Sequence, residues 1–255
     1  MSLSKAIVAR RLKQPFKYYD AIGSTNDVAK AWLEAGAPDR AAVIANEQTR
    51  GRGRKRRVWQ TPPAAALAVS VILQPPAELI PQVNFLGALA VYDLAAEAGC
   101  SMIGIKWPND VQVQGKKVAG ILPEVVWKGS EALGVVLGLG VNVRIDFSGS
   151  ELAETATSLE SVVNRGLDRA ELLQSLLRHV DRWYSHINEE SLFRSWKSRL
   201  NMLGARIAVE GLVGSAADVL PNGSLLLRDD CGALQTVAAG DVFATFQVNG
   251  RGAGA

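Results

Sequence analysis

"KWPNDVQVQGKKVAGILPEVVW", residues 106–127, changes the hydrophobic rhythm of the chain from a helical period to a period of two. A Trp-Pro-Asn-Asp turn is followed by Val111 and Val113 alternating with glutamines, then a Gly-Lys turn and a second apolar run, a pattern that reads as paired strands. "MIGIKW" (102–107) leads into it and "ALGVVLGLGVNV" (132–143) follows across a Lys-Gly-Ser turn, so an antiparallel meander is predicted from about residue 102 to 143. Pro123, inside the second run, suits an edge or a bulge of such a sheet.

Outward from the meander the period changes. "GSTNDVAKAWLEAG" (23–36) offers Ser24, Thr25 and Asn26 as N-cap residues, then Val28, Trp32 and Leu33 at helical spacing, and predicts a helix over about 26–35. "AAVIANE" (41–47) and "LAVSVIL" (67–73) are short β-type runs, and "QVNFLGALAVYDLAAEAG" (82–99) is a helix apolar around most of its circumference, hence buried. Asp168 and Glu171 have capping-box spacing and precede Leu172, Leu176, Val180, Trp183 and Ile187 on one face, with "SLFRSWKSRL" (191–200) closing this part of the chain. Five short β-type segments then follow between Pro-Asn-Gly and Asp-Asp-Cys-Gly turns. The predicted fold is α+β: a mixed β-sheet with flanking helices over 1–202, a small SH3-like β-barrel over 203–249 and a frayed tail over 250–255.

With 255 residues, 48% of them hydrophobic, the chain can bury a core of its own. It contains neither a signal-peptide pattern nor an apolar run of the roughly 18 residues that a membrane span requires, so a cytoplasmic protein is expected. Cys100 and Cys231 lie far apart, and His179 and His186 fall in one helical stretch, which argues against a disulfide framework or a zinc site; no metal-ligand set is predicted. There is no GxGxxG, because Arg56 stands where the third glycine would fall, and no GxxxxGK[ST] or GxSxG.

The charge is concentrated. "QTRGRGRKRRVW" (48–59) carries five arginines, one lysine and no acid, while the whole chain has a net charge of only +3, so the remainder is net acidic. Gly51 and Gly53 allow backbone amides to converge on an anion, and Arg52 and Arg54 can offer planar forks to phosphate or carboxylate oxygens. Glycine hinges and like charges make ligand-dependent ordering of this loop an expectation. Two readings remain open here, a grip on nucleic acid with Trp59 stacking on a base, or a cradle for one compact anion. Affinity for a nucleic acid backbone grows with the number of phosphates neutralised, which favours a basic face over a single basic loop. Lys106, at a strand end before the turn, could stabilise charge on a phosphate, or be a surface lysine; Asn109 and Asp110 could help hold a metal, or merely form the turn. Gly138 and Gly140 in "GLGVN" would let a backbone or a flat ligand come close, and Asn142 could bond to a nucleotide or cap a turn.

In order and spacing, "GSTND", "EQTRGRGRKRRVW", "KWPNDVQVQGKKVAGILPEV" and "GLGVNV" resemble the biotin protein ligase family, in the form without the N-terminal DNA-reading domain, over about residues 18–145. The resemblance implies a class II synthetase-like core and an ATP-dependent ligase. Such an enzyme activates biotin as biotinyl-5′-AMP and transfers it to a lysine of a carboxylase's biotin carboxyl carrier domain, with Mg²⁺ accompanying ATP. Carried over by position, Ser24, Thr25, Asn26, Gln48, Arg52, Gly53, Arg54, Lys106 and Gly120 would contact biotin. Arg52, Arg54, Trp59, Lys106, Asn109 and Asn142 would contact the nucleotide, with Lys106, Arg52 and Arg54 acting in catalysis. The implied partners are biotin, ATP and the carrier domain, without nucleic acid or membrane, and a homodimer is among the assemblies allowed. Lipoate or octanoate transfer is the neighbouring chemistry, and a non-enzymatic RNA-binding protein the alternative from another class. Arg56 replaces a glycine usual in the family's loop; if that position needed a positive φ, arginine would cost roughly 1–2 kcal/mol.

Overall fold

The computed structural model describes residues 3–244. The chain divides into two compact units, one made of residues up to Ile105 together with Asn109–Arg199, the other of Lys106–Pro108 and the chain from Leu200 onward. A short piece of the meander, Lys106–Pro108, thus groups with the second unit. The tail expected at 250–255, and the last residues of the expected barrel, lie outside the described residues.

In the first unit the chain runs through α1 (Lys5–Arg11), β1 (Phe16–Tyr19), α2 (Thr25–Glu34), β2 (Ala42–Ala45), β3 (Ala66–Leu73) and α3 (Gln82–Glu97). It continues through β4 (Ile103–Lys106), β5 (Asp110–Val113), β6 (Lys116–Lys128), β7 (Glu131–Asn142), α4 (Leu159–Val163), α5 (Arg169–Tyr184) and α6 (Glu190–Lys197). The strands form one seven-stranded sheet in the order β1-β2-β3-β7-β6-β5-β4. β1 runs parallel to β2, whereas β2 with β3, β3 with β7, β7 with β6 and β6 with β5 are antiparallel. The mixed sheet and the central meander are therefore as expected. Pro123 lies beyond Gly120, the last β6 residue paired with β5, where β6 has a neighbour on one side only.

Helices cover both faces of this sheet, which is why every residue of β3 is buried and no period of two survives there. Successive residues of β7 show the two layers. Val136 belongs to a core cluster with Ala29 and Leu33 of α2, Val43 and Ile72, while Leu137, with Ile121, lies directly against Gly87 of α3. Behind α3 the rings of Phe85 and Trp196 of α6 stack at a centroid distance of 4.2 Å.

α5 begins as its sequence predicts. The Asp168 carboxylate accepts from the Ala170 amide at 2.7 Å and from the Glu171 amide at 3.4 Å, closing the first turn. Its first residue, Arg169, is fully buried and has neutral acceptors among the described residues: Nη1 donates to Asn46 Oδ1 at 2.7 Å, and Nε and Nη2 donate to the Ala66 carbonyl at 3.1 and 2.5 Å. Burial pulls its pKa down to about 10. The cation thereby ties the end of β2 to the start of β3, the two stems of the basic loop.

The second unit contains β8 (Arg206–Val209), β9 (Leu212–Val219), β10 (Leu225–Arg228), β11 (Leu234–Val237) and β12 (Val242–Ala244), in an antiparallel sheet of order β11-β10-β9-β8-β12. This matches the five strands expected of an SH3-like module. Among the described residues no helix is long and apolar enough to cross a membrane.

α3 and α5 are stitched together by Glu97, whose Oε2 accepts from Ser175 Oγ at 2.6 Å and Arg178 Nη2 at 2.6 Å and lies 2.8 Å from His179 Nε2. These bonds, led by that from Ser175, hold the carboxyl at a pKa of about 2, against an ordinary value of 4.5. A depressed carboxylate pKa contributes stability that is complete above the unfolded value and is lost as pH falls through the folded one. Because Glu97 is partly exposed, the effect is modest: Glu97→Gln lowers the melting temperature at pH 7 by about 2 °C. In thermal unfolding the gap between wild type and variant closes as the pH falls from 4.5 toward 2.

Candidate functional site

The site grows from the first turn of α2. Ser24 holds the N-cap position in extended conformation and is buried, yet its side chain caps no amide of the helix. Gln48 takes over that task, its Oε1 accepting from the Thr25 amide at 2.8 Å and from Thr25 Oγ1 at 3.0 Å, while its Nε2 donates to Thr61 Oγ1 at 3.3 Å. Asn26 is buried; its Nδ2 donates to the Leu122 carbonyl at 3.2 Å and to Glu124 Oε2 at 2.6 Å. Ser70, from the middle of β3, places Oγ 2.8 Å from Thr25 Oγ1 and 2.6 Å from Asn26 Oδ1, so its single proton serves one acceptor at a time. The result is a hydrogen-bonded polar knot inside an apolar sheet, uncharged at Thr25, Asn26, Gln48 and Ser70 and touched by one carboxylate, that of Glu124.

Two glycines of β7 make room for it. A Cβ at Gly138 would overlap the Asn26 amide, and one at Gly140 would lie 2.6 Å from Cε2 and Nε1 of Trp59. The close approach expected at "GLGVN" is thus made by two side chains of the chain itself. Trp59 also reaches Gly120, the β6 partner of Gly140, where a Cβ would stand 3.4 Å from Cζ3. Its indole Nε1 is buried without a hydrogen-bond partner among the described residues.

The basic loop between these anchors is a small hairpin. The Trp59 amide donates to the Gly51 carbonyl at 2.9 Å, Arg52 bridges Val58, and the Gly53 amide donates to the Arg57 carbonyl at 2.8 Å, with a 3₁₀ turn over Arg54–Arg56 at the tip. The left-handed angle inside that turn falls on Lys55 (φ 53°, ψ 31°), so the strain considered for Arg56 lies one residue earlier. Arg52 turns its fork back onto α2: Nη1 donates to Asp27 Oδ2 at 2.8 Å and Nη2 to Asp27 Oδ1 at 2.5 Å. The Arg52 pairing holds the Asp27 carboxyl below its ordinary range, and Asp27 in turn raises the guanidinium. Arg54 Nη1 donates to Asn109 Oδ1 at 3.3 Å, and Asn109 is fixed by its Nδ2 bond to the Ile121 carbonyl at 2.7 Å. Gly53 lies between these two arginines at the tip.

The lysine that joins this group is Lys117. Its Nζ lies 5.3 Å from the Trp59 ring centroid, pairs with Asp110 Oδ1 at 2.7 Å and would stand 3.5 Å from a Cβ at Gly120. Asn142 is buried and donates from Nδ2 to the Thr157 carbonyl at 3.1 Å and the Lys117 carbonyl at 3.5 Å, bracing the backbone that carries this lysine. Lys106 ends β4 and groups with the second unit, its ammonium 5.9 Å from the Phe243 ring centroid.

Of the residues singled out from sequence, the structure therefore gathers Ser24, Thr25, Asn26 and Gln48 at the start of α2. Arg54 and Asn109 meet at the hairpin tip, and Trp59 and Gly120 sit beside Asn142 through Lys117. Ser70, Lys117, Asp27 and Glu124 were not singled out. A serine amid "LAVSVIL", and a second lysine after a Gly-Lys turn facing Asp110 across a hairpin, were the signals available.

An α+β domain thus carries a hydrogen-bonded polar knot at the start of α2 and the cations Arg54 and Lys117 about a helix-covered mixed sheet. The sequence model of the biotin/lipoate A/B protein ligase family matches residues 18–142. A biotin–[acetyl-CoA-carboxylase] ligase of Mycobacterium tuberculosis is 34% identical over 86% of this chain and 85% of its own. The enzyme of the same name from Paracoccus denitrificans is 32% identical over 83% of this chain and 93% of its own. The chain belongs to this family. The bifunctional ligase/repressor BirA of Bacillus subtilis is 37% identical over 66% of the chain, which spans about half (53%) of that longer protein. Among solved structures, the biotin protein ligase of Aquifex aeolicus in complex with biotin and ATP superposes with a TM-score of 0.78, covering 92% of this chain and 100% of that one at 24% identity, a likeness of fold.

The glycine gap predicts a mutational outcome. Gly138→Ala forces Asn26 out of its knot or the strand out of register, and costs about 2 kcal/mol, the usual range for overpacking a filled core; urea unfolding measures it. A cost within experimental error would show that Asn26 does not need the bare backbone.

Proposed function

We propose that this chain is an ATP-dependent biotin ligase acting in the cytoplasm. It joins the carboxylate of biotin to the α-phosphate of ATP and then passes the biotinyl group to a lysine of a carboxylase's carrier domain. The observation that carries the reading is the pairing of uncharged polar side chains at the start of α2 with cations at one end of the sheet. Ser24, Thr25 and Gln48 suit an uncharged ureido head, while Arg54 and Lys117 suit a carboxylate about to meet a phosphate. The names of the relatives and of the superposable structures agree with it.

In the first step a carboxylate oxygen of biotin attacks the α-phosphorus; an O–P bond forms, the bond to the β-phosphate oxygen breaks, and pyrophosphate leaves. In the second, a carrier lysine amine attacks the carbonyl of the mixed anhydride. A C–N bond replaces the C–O bond, AMP departs, and the amine loses a proton. No covalent bond to the protein is needed, so the residues act by position and charge. Lys117, braced through Asn142 and backed by Asp110, is placed to hold the carboxylate beside the phosphate, and Arg54 at the hairpin tip to balance charge gathering on the α-phosphate. Trp59 forms an apolar wall that excludes water from a hydrolysable anhydride. Mg²⁺ enters with ATP as the counter-ion of its phosphates; among the described residues no three His, Cys, Asp or Glu side chains gather to hold an ion by themselves.

Pyrophosphate exchange into ATP that appears only when biotin is added tests the reading; exchange driven by lipoate in place of biotin would transfer it to the second chemistry that the family name covers. Lys117→Ala lowers kcat/KM for the exchange by at least about 10²-fold, the scale of losing one group that stabilises transition-state charge. A larger loss in Lys106→Ala than in Lys117→Ala would return the role to Lys106.

A further inference from the structure

The basic hairpin meets the rest of the first unit through different kinds of contact. Trp59 anchors its base by packing on Gly120 and Gly140, and Arg54 at its tip reaches an amide oxygen. Arg52 makes a two-point ion pair with Asp27, and Asp27 sits in a charged row. Lys30 Nζ lies 3.4 Å from Asp27 Oδ1 and 2.9 Å from Glu124 Oε1, and Arg52 Nη2 is 3.8 Å from Glu124 Oε2. Two carboxylates and two cations thus alternate across α2, β6 and the loop. Fork-on-carboxylate geometry within a network is the kind of partly exposed ion pair that contributes measurably, unlike a single wandering pair.

Six basic side chains in twelve residues repel one another, and a ligand phosphate would normally provide the compensating charge. Here a carboxylate of the chain provides part of it. We infer that Asp27 is a positioning residue for the basic loop: it pins Arg52, and with it the hairpin, to the first turn of α2 before any anion binds. The inference rests on the proposed ligase reaction only for its consequence. A loop ordered in advance spares the ligand the ordering cost, so biotin and ATP bind more tightly than they would to a loose loop. The opposite arrangement, in which Asp27 competes with phosphate for Arg52, makes the opposite prediction.

Hydrogen exchange of the ligand-free protein separates them from each other and from the ligase reading. The reporters are the Gly53, Arg57 and Trp59 amides, whose bonds close the hairpin, read relative to amides of β3 and β7 in the same molecules. Asp27→Asn and Arg52→Gln are each expected to exchange about five-fold faster at these reporters, the factor that an ion pair of about 1 kcal/mol supplies. The double variant should be no faster than either single one, because one interaction is removed in all three. Unchanged reporters in Asp27→Asn would overturn the proposal. Additive acceleration in the double variant would do the same, since it would mean that Asp27 acts through the helix N-terminus and not through Arg52. Calorimetry then reads the consequence: biotin and ATP each bind Asp27→Asn about five-fold more weakly, the same factor carried through the ordering equilibrium. Tighter binding of ATP would mean that Asp27 competes for Arg52, and the proposal would fall. A protein without biotin-dependent exchange activity would defeat the ligase reading while leaving the ligand-free measurement intact.

Discussion

The bare backbone of β7 at Gly138 and Gly140 is the constraint on which the rest depends. Where side chains would normally rise from a central strand, the sheet instead admits Asn26 from α2 and Trp59 from the basic hairpin. Each brings a polar group that the interior would otherwise penalise, and the Asn26 amide is accommodated by Ser70, Glu124 and the Leu122 carbonyl. A helix start and a loop end are thereby fixed at adjacent points of one strand, and the proposed function puts the neutral head and charged tail of its ligand in the space between them.

Charge is arranged around that space in a graded way. Arg52 is matched by Asp27 and Lys117 by Asp110, both through carboxylates; Arg54 donates to the Asn109 amide oxygen, and the acceptors of Arg169 among the described residues are neutral. The loop that looked like one undifferentiated cationic run is therefore divided by its surroundings. One arginine faces the scaffold and another, two positions on, faces the turn before β5, although the two side chains carry the same chemistry.

Much of this was legible in the residues themselves. The period of two over "KKVAGILPEVVW" and "ALGVVLGLGVNV" appears as the long β6–β7 pair, and the all-round apolarity of 82–99 as a helix buried against the sheet. Asp168 announced the start of α5 because capping is local chemistry. What could not be read was pairing over distance. Nothing in "GSTND" says that Asp27 will meet an arginine twenty-five positions later, and nothing in "GKK" says which lysine joins Trp59. The β5–β6 hairpin decides that by setting its register and bringing Lys117 toward Asp110. Ser70 was hidden because β3 is covered on both sides, so a polar residue inside it stands out only once its neighbours are known.

Arg169 makes the basic loop part of the helical layer rather than an appendage. Its guanidinium spans the residue that ends one stem and the residue that begins the other, from a helix more than a hundred positions away in sequence. Transplanting the hairpin between relatives as a cassette would thus carry a hidden requirement: the recipient must supply the same buried cation, with an amide side chain and a backbone carbonyl to receive it, or the grafted stems will close on an empty socket.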